Sequence, residues 1–298
     1  MYCYEAVQKE EPMRQGMKYL VKAVCVACLL GLAFPAAAGA EIKLGLLPRL
    51  SAMEMNTMFT PLAEYLSKET GEKVSLVIPK DFEAFKAAVA AGQVDLGFSN
   101  PIIYVQLKKN NFALEPLGLA SEKAGTKFRG IIIARKDSGI EKVQDLKGKR
   151  LIFVDKDSAA GHVFQLLTLS KAGLDMHKDF TKLPFAKKHD NVAMAVFNKT
   201  ADAGGIREDD LEKMKDKVDL SQIKIIAYTE YYPNWPLFKT GKMSKAVADK
   251  VKAALMKLRP NSSEAQQVAG PAKITGFAPV ADKDYDMLRQ AAKIAELL

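Results

Sequence analysis

From residue 41 onward the chain alternates two hydrophobic patterns. Short, continuous apolar runs, many rich in β-branched residues, are "IKLGLL" (42–47), "KVSLVI" (73–78), "VDLGF" (94–98), "GIIIAR" (130–135), "RLIFV" (150–154) and "IKIIAY" (223–228). These predict strands. Between them lie stretches whose apolar residues recur every three or four positions. Met55, Met58, Phe59, Leu62, Ala63 and Leu66 fall on one helix face, behind a Ser51/Glu54 capping box. Pro61 either kinks that helix or marks its start. The alternation predicts an α/β fold with a largely parallel sheet.

The pattern also repeats. "IKLGLL" leads through a loop and helix to "LSKETG" (66–71), and "RLIFV" leads in the same way to "LSKAG" (169–173). "AVAAGQVDLG" (88–97) and "AVFNKTADAG" (195–204) then share A-V-x-x-x-x-x-D-x-G. Because the matches keep their order, they predict two similar α/β lobes and not one large sheet. The expected division is residues 41–130 plus 225–298 for the first lobe and 131–224 for the second. The chain would cross between them at a two-crossover hinge near 130–135 and 223–228.

Residues 1–40 stand apart. Lys18 and Lys22 precede an uncharged run from Ala23 to Ala40 that closes in "PAAAGA". This is the layout of a secretory signal peptide, with cleavage expected near Ala40/Glu41 and the mature protein in the periplasm. The competing reading, a retained membrane anchor, suffers from Pro35 and the alanine run, which dilute the apolar stretch. Cys3, Cys25 and Cys28 all precede Glu41, so the expected mature chain holds no thiol and no disulfide. The 298-residue chain is 48% hydrophobic and 27% charged, ordinary for a globular protein. Its formal charge of +9 is spread in runs such as "KMKDKVD", which read as solvated helix faces, so no nucleic-acid partner is expected.

Ligands of parallel α/β units bind beyond the carboxyl ends of the strands. Here those loops are "PRLS" (48–51), "PKDF" (79–82) and "SNP" (99–101), then "DKDSAAGH" (155–162), "AKKHDN" (186–191) and "GGIRED" (204–209). In "DKDSAAGHVFQLL" (155–167), Ser158, Ala159, Ala160 and Gly161 stand where strand meets helix. Small residues there let a ligand approach the free amides at a helix start, a site suited to an anion. Ser158 is read both as the helix N-cap and as an anion contact, and His162 as a surface residue of the first turn. Asn100 and Tyr104 follow a strand end, where Pro101 suits the first turn of a helix. His189 can donate to an oxyanion; Asp190 beside it would accept a proton from a partly protonated oxyanion or a zwitterion. Arg49 and Arg207 occupy corresponding loops of the two lobes and offer planar forks for an oxyanion. "YYPNWPLF" (231–238), with the single tryptophan, either lines the cleft or anchors the hinge.

These residues resemble the periplasmic phosphate/phosphite/phosphonate-binding proteins of ABC transporters, which have the type II periplasmic binding protein fold. The likeness rests on "GLLP" (45–48), "GQVDLGFSNPIIY" (92–104), "DSGIEKVQDLKGKRLIFVDKDSAAGH" (137–162), "KKHDNVAMAV" (188–196), "ADAGG" (201–205) and "YPNWP" (232–236). The resemblance implies that the turn at 158–161, the His189–Asp190 pair and first-lobe aromatics hold the anion. Tyr104 keeps one of those aromatics, and Phe82 stands where a tyrosine is usual. Ala159 and Ala160 replace two hydroxyl residues, each worth about 1.5–3 kcal/mol to a charged acceptor. A fully ionised phosphonate should therefore bind more weakly than is usual for the family. The function expected is capture of a small oxyanion by a monomer that hands it to an inner-membrane permease. Sensing for a membrane histidine kinase is the alternative, and an enzyme on the same fold is less favoured. The three histidines lack metal-ligand spacing, and neither a nucleophile elbow nor a phosphate loop occurs, so no catalytic residue, metal or cofactor is expected.

Overall fold

A computed structural model describes residues 41–110 and 113–298; the expected signal peptide and its cleavage site lie outside them. The chain begins β1 (Ile42–Leu46), α1 (Ala52–Thr70), β2 (Val74–Val77), α2 (Phe82–Ala90), β3 (Leu96–Phe98), α3 (Pro101–Asn110) and β4 (Glu115–Ser121). It continues through β5 (Lys127–Phe128), β6 (Gly130–Arg135), β7 (Arg150–Ile152), α4 (Phe164–Lys171), β8 (Thr181–Lys182), α5 (His189–Phe197), β9 (Ala203–Arg207), α6 (Glu208–Leu211) and β10 (Ile223–Tyr228). It ends with β11 (Tyr232–Pro233), β12 (Pro236–Lys239), α7 (Lys245–Lys257), α8 (Ser263–Val268), β13 (Gly276–Ala278) and α9 (Asp286–Ile294).

Two larger sheets result, ordered β13-β4-β12-β3-β1-β2 and β10-β6-β9-β7-β8. β1 lies parallel between β2 and β3, and β7 lies parallel between β8 and β9. Beyond each third strand comes an antiparallel one, β12 against β3 and β6 against β9. Each sheet is therefore mixed, not largely parallel: β12 and β13 run against the rest of the first sheet, and β6 against the rest of the second. The neighbour pattern β2-β1-β3-β12 recurs as β8-β7-β9-β6, as the repeat in the sequence requires.

The shared A-V-x-x-x-x-x-D-x-G pattern has a physical cause in both halves. Asp95 accepts the Lys43 amide at 2.9 Å, at the start of β1, and Asp202 accepts the Arg150 amide at 2.8 Å, at the start of β7. The glycines two residues on are crowded. A Cβ on Gly97 would sit 2.3 Å from the Phe238 ring, and one on Gly204 2.5 Å from Val192 Cγ1. Asp sets the register of the third strand on the first, and Gly lets a neighbour close over it.

Local signals are obeyed elsewhere. Ser51 and Glu54 form the reciprocal capping box, and Gly71 at φ +75° ends the helix, so α1 starts at Ala52 and carries Pro61 inside it. Alternation in β6 sends Ile131 and Ile133 into one core with Val192, Val196 and Ile206. Ile132 and Ala134 point the other way, into the core that also holds Phe153, Phe164 and the first sheet. The two crossings between sheets lie side by side, because β5 and β11 pair antiparallel; they are not at 130–135 and 223–228 as expected, since those runs are β6 and β10, paired with each other inside the second sheet. Among the described residues no helix is long and apolar enough to cross a membrane.

Candidate functional site

β7 and β9 are parallel neighbours, so their carboxyl ends open on one edge of the second sheet. The chain leaving β7 turns at residues 155–158, where the Ser158 amide donates to the Asp155 carbonyl at 3.1 Å. Residues Ala159–Val163 then wind as a π-helical turn, with the Val163 amide reaching back to Ser158 at 3.0 Å. Gly161 is required there. A Cβ would lie 2.5 Å from Val154 Cγ2 and 2.7 Å from Ser158 Oγ. Ser158 holds the N-cap position, but its hydroxyl caps no amide, so the expected capping role is replaced by the wider helical turn. His162 is not on the surface as expected. It is buried between Phe153 and Phe185, with Nδ1 donating to the Lys156 carbonyl at 2.9 Å.

Gln165 fixes the turn to the sheet. Its buried Nε2 donates to the carbonyls of Ala160 at 2.6 Å, Ile206 at 3.1 Å and Ile131 at 3.2 Å. Gly130 leaves the space for it, since a Cβ there would meet Nε2 at 2.3 Å.

The same loop is gripped by the first lobe. Asp157 is 1% exposed and accepts from Lys86 Nζ and Gln106 Nε2, each at 2.8 Å. Asn100 Nδ2 donates to the Asp157 carbonyl at 3.1 Å, while its Oδ1 caps α3 by accepting from Ile102 and Ile103. Lys156 reaches Glu83 at 2.9 Å. Asn100 thus stands against the turn, at one end of α3. Phe82, the first residue of α2, is half-buried against the main core.

Tyr104 is not brought there. Gln106 touches Asp157, and a residue two positions earlier is turned about 200° round the helix. Tyr104 is accordingly buried against Tyr285 and Phe238, its hydroxyl donating to Asp282 at 2.7 Å. Burial and the Asp282 carboxylate push that phenol well above its ordinary range.

The His189–Asp190 pair also divides, because adjacent helical residues diverge by about 100°. His189 Nδ1 accepts the Arg207 amide at 3.1 Å, leaving the proton on Nε2, which faces Asp210 at 3.7 Å. Burial holds its pKa below the usual imidazole value, only partly opposed by Asp210. Asp190 turns outward to pair with Lys217.

Arg49 and Arg207 do converge. Arg207, at the end of β9, pairs with Glu122 from the first lobe and with Asp209 at 2.8 Å, and its guanidinium lies over the Phe128 ring. Burial pulls its pKa down, but Glu122 and Asp209 outweigh that and hold it above the ordinary value. Arg49 donates through Nη2 to the Ala272 carbonyl at 3.1 Å and lies over Trp235, 5.4 Å from the ring centroid. Burial lowers its pKa; Glu122 and Asp210 oppose this, and repulsion from Arg207 adds to it. The Nε of Arg49 and the Nδ2 of Asn234 are buried donors without a partner.

The Ser158–Gly161 turn and Asn100 thus meet across the two sheets, and Arg207, His189 and Arg49 gather around Glu122 and Asp210, with Arg49 Nε a buried donor left without a partner. Lys86, Gln106, Glu122 and Asp210 belong to the same surroundings and were not singled out from the sequence. Asp210 directly extends the "GGIRED" loop, whereas Glu122 had no local signal.

Comparison with known proteins follows the same line. The profile of a family described as "ABC transporter, phosphonate, periplasmic substrate-binding protein" matches residues 44–285. The phosphate-import protein PhnD of Mycolicibacterium smegmatis is 28% identical over 312 aligned positions, covering 95% of this chain and 97% of that protein. The tetrathionate sensor histidine kinase TtrS of Salmonella typhimurium is 27% identical over 79% of this chain, but the match spans 42% of the kinase. Among solved structures, PhnD1 from Prochlorococcus marinus in complex with methylphosphonate shares the fold with a TM-score of 0.73, at 16% identity, over 87% of this chain and 99% of that one.

Proposed function

The chain belongs to the periplasmic substrate-binding proteins of phosphonate ABC transporters, and from that premise we propose that it captures a small oxyanion of the phosphonate, phosphite or phosphate type between its lobes and delivers it to an inner-membrane permease. The observation that carries the ligand class is the convergence of Arg49 and Arg207, from opposite lobes, beside His189 and the small-residue turn at 158–161. Two guanidiniums and an imidazole N–H meet there on carboxylates that an oxyanion could replace, and Arg49 Nε is a buried donor with no partner in the protein. Ser158, Ala159, Ala160, Gly161, Asn100, His189, Arg49 and Arg207 form the contact set in this reading, with Phe82 on the rim. Tyr104 packs into the core and Asp190 faces outward, so neither belongs to that set. The two sheets with their helices act as the two bodies, closing by a hinge at the crossings beside β5 and β11; the expected boundary at 224/225 moves past β10, which belongs whole to the second sheet.

Calorimetric titration of the mature protein against phosphate, phosphite, methylphosphonate, sulfate and arsenate tests this. Saturable binding of a phosphorus oxyanion, with compaction in small-angle scattering, is expected. No binding to any of the five would overturn the ligand class. The exported protein is expected to begin at or near Glu41, which intact mass checks.

A second reading, ligand sensing for a membrane kinase, draws on the likeness to TtrS. Reconstitution separates the two: ligand uptake into vesicles carrying the cognate permease and ATPase supports delivery. Binding without uptake, together with activation of a kinase, supports sensing.

A further inference from the structure

The pair formed by Arg207 and Glu122 crosses from one sheet to the other. Arg207 closes β9 of the second sheet; Glu122 directly follows β4 of the first. The backbone of Glu122 is pinned. Its amide donates to Gly125 at 2.9 Å, Gly125 returns a bond to its carbonyl at 2.8 Å, and Gly125 takes φ +92° to close that turn. The neighbouring Ser121 carbonyl accepts the Thr275 amide at 2.7 Å. Only the Glu122 side chain is free to choose its partner, and it reaches across to Arg207.

Charge around this point is balanced without any ligand. Arg207 already meets Asp209, and Asp210 meets Lys213 at 2.5 Å. Glu122 is then the carboxylate shared by the fields of Arg207 and Arg49, while the Nε of Arg49 stays buried and unpartnered. A carboxylate and one face of a phosphonate present similar oxygen pairs to a guanidinium.

We propose that Glu122 is an internal competitor for the oxyanion: its carboxylate occupies the Arg207 position that a ligand takes, and its charge makes the cleft prefer singly over doubly charged ligands. A ligand that binds either displaces Glu122 or sits beside it, and in both cases a second negative charge is opposed by a carboxylate only partly exposed to water. The inference rests on the reading of the cleft as an oxyanion site.

The test titrates methylphosphonate, and its monomethyl ester carrying one negative charge, into wild type, Glu122→Gln and Glu122→Asp at alkaline pH. Glu122→Gln should bind methylphosphonate at least about tenfold more tightly than wild type, with a distinctly smaller gain for the monoester. Glu122→Asp, which keeps the charge but withdraws it from Arg207, should gain less than Glu122→Gln and serves if the glutamine variant does not fold. Equal or weaker methylphosphonate binding in the variants, with wild type binding normally, overturns the competitor role and leaves the oxyanion site standing. Equal gains for the two ligands overturn the charge preference. Failure of every protein to bind either ligand removes both the inference and the reading beneath it.

Discussion

Lys86 Nζ, on α2 of the first lobe, lies 2.8 Å from the carboxylate of Asp157, the residue just before the candidate binding turn of the second. Asp157 is almost without solvent contact, so its charge depends on Lys86 and Gln106 for compensation. Such a pair adds little net stability, yet removing one partner leaves an unpaired buried charge and costs about 3–5 kcal/mol. The contact can form only when the lobes are together. Lys86→Met should therefore weaken oxyanion binding at least about tenfold, roughly 1.4 kcal/mol, and enlarge the radius of gyration of the liganded protein. Asp157→Asn, which removes the charge as well, should lose less. If both variants bind and scatter like wild type, the contact plays no part in closure.

His189 and Asp190 should behave as unrelated residues despite being adjacent. His189→Ala removes a donor beside Arg207 and is expected to weaken the best ligand at least about tenfold. Asp190→Asn touches only the outward pair with Lys217 and should leave affinity within about twofold, as surface pairs contribute little. Calorimetry on the two variants reads both effects, and a large loss in Asp190→Asn would return the pair to the site.

His162 sets an acid limit on stability. Burial pushes its pKa down to about 4, from an ordinary value of 6.5. The unfolded chain thus holds the proton more strongly, so stability is fully present above pH 6.5 and is lost as pH falls toward 4. The total is about 3 kcal/mol for this one group, and His189, lowered in the same direction, adds to it. Urea unfolding at neutral pH and near pH 4.5 measures the loss. His162→Phe should flatten most of it, and an unchanged slope in that variant would refute the assignment.

Gly161→Ala forces a methyl group against Val154 and Ser158 at distances no side chain tolerates. Overpacking of this kind costs about 1–3 kcal/mol. Because the displaced atoms belong to the turn itself, ligand affinity should fall with stability. Thermal unfolding and titration of the variant check the two together. Wild-type stability would mean that the turn has more room than the geometry allows.

Much of the fold was legible because its signals are local. β6 and β10 match the apolar runs at 130–135 and 223–228, the capping box placed α1, and the Asp–Gly repeat foretold two sheets of one design. β12 was not legible. "PLFK" sits among two prolines and a tryptophan and reads as loop, yet Pro236 needs no ladder donor at the first residue of the strand. That strand lies between β3 and β4, and its reversed direction makes the first sheet mixed.

The candidate site was legible where one loop carries it, as at 158–161, and obscure where it depends on side-chain direction. Neighbours in sequence suggested that His189 and Asp190 act together; the helix sends them apart. Tyr104 stood near a strand end, but its face of α3 looks into the core. Asp157 carries no distinguishing signal within the 155–162 loop, since nothing local reveals that Lys86, 71 positions earlier, will meet it.

Gln165 works as a keystone. One amide group holds carbonyls from β6, from β9 and from the binding turn, so the turn inherits its shape from the sheet and cannot be remodelled alone. Variation that kept this glutamine would have a narrow freedom: exchanging small side chains at 159 and 160 while the backbone beneath them stays put. Alanine for a hydroxyl residue is such an exchange. The second lobe would then serve as a fixed mould with interchangeable lettering, and larger changes of diet would have to be written on the first lobe, around Arg49 and Glu122.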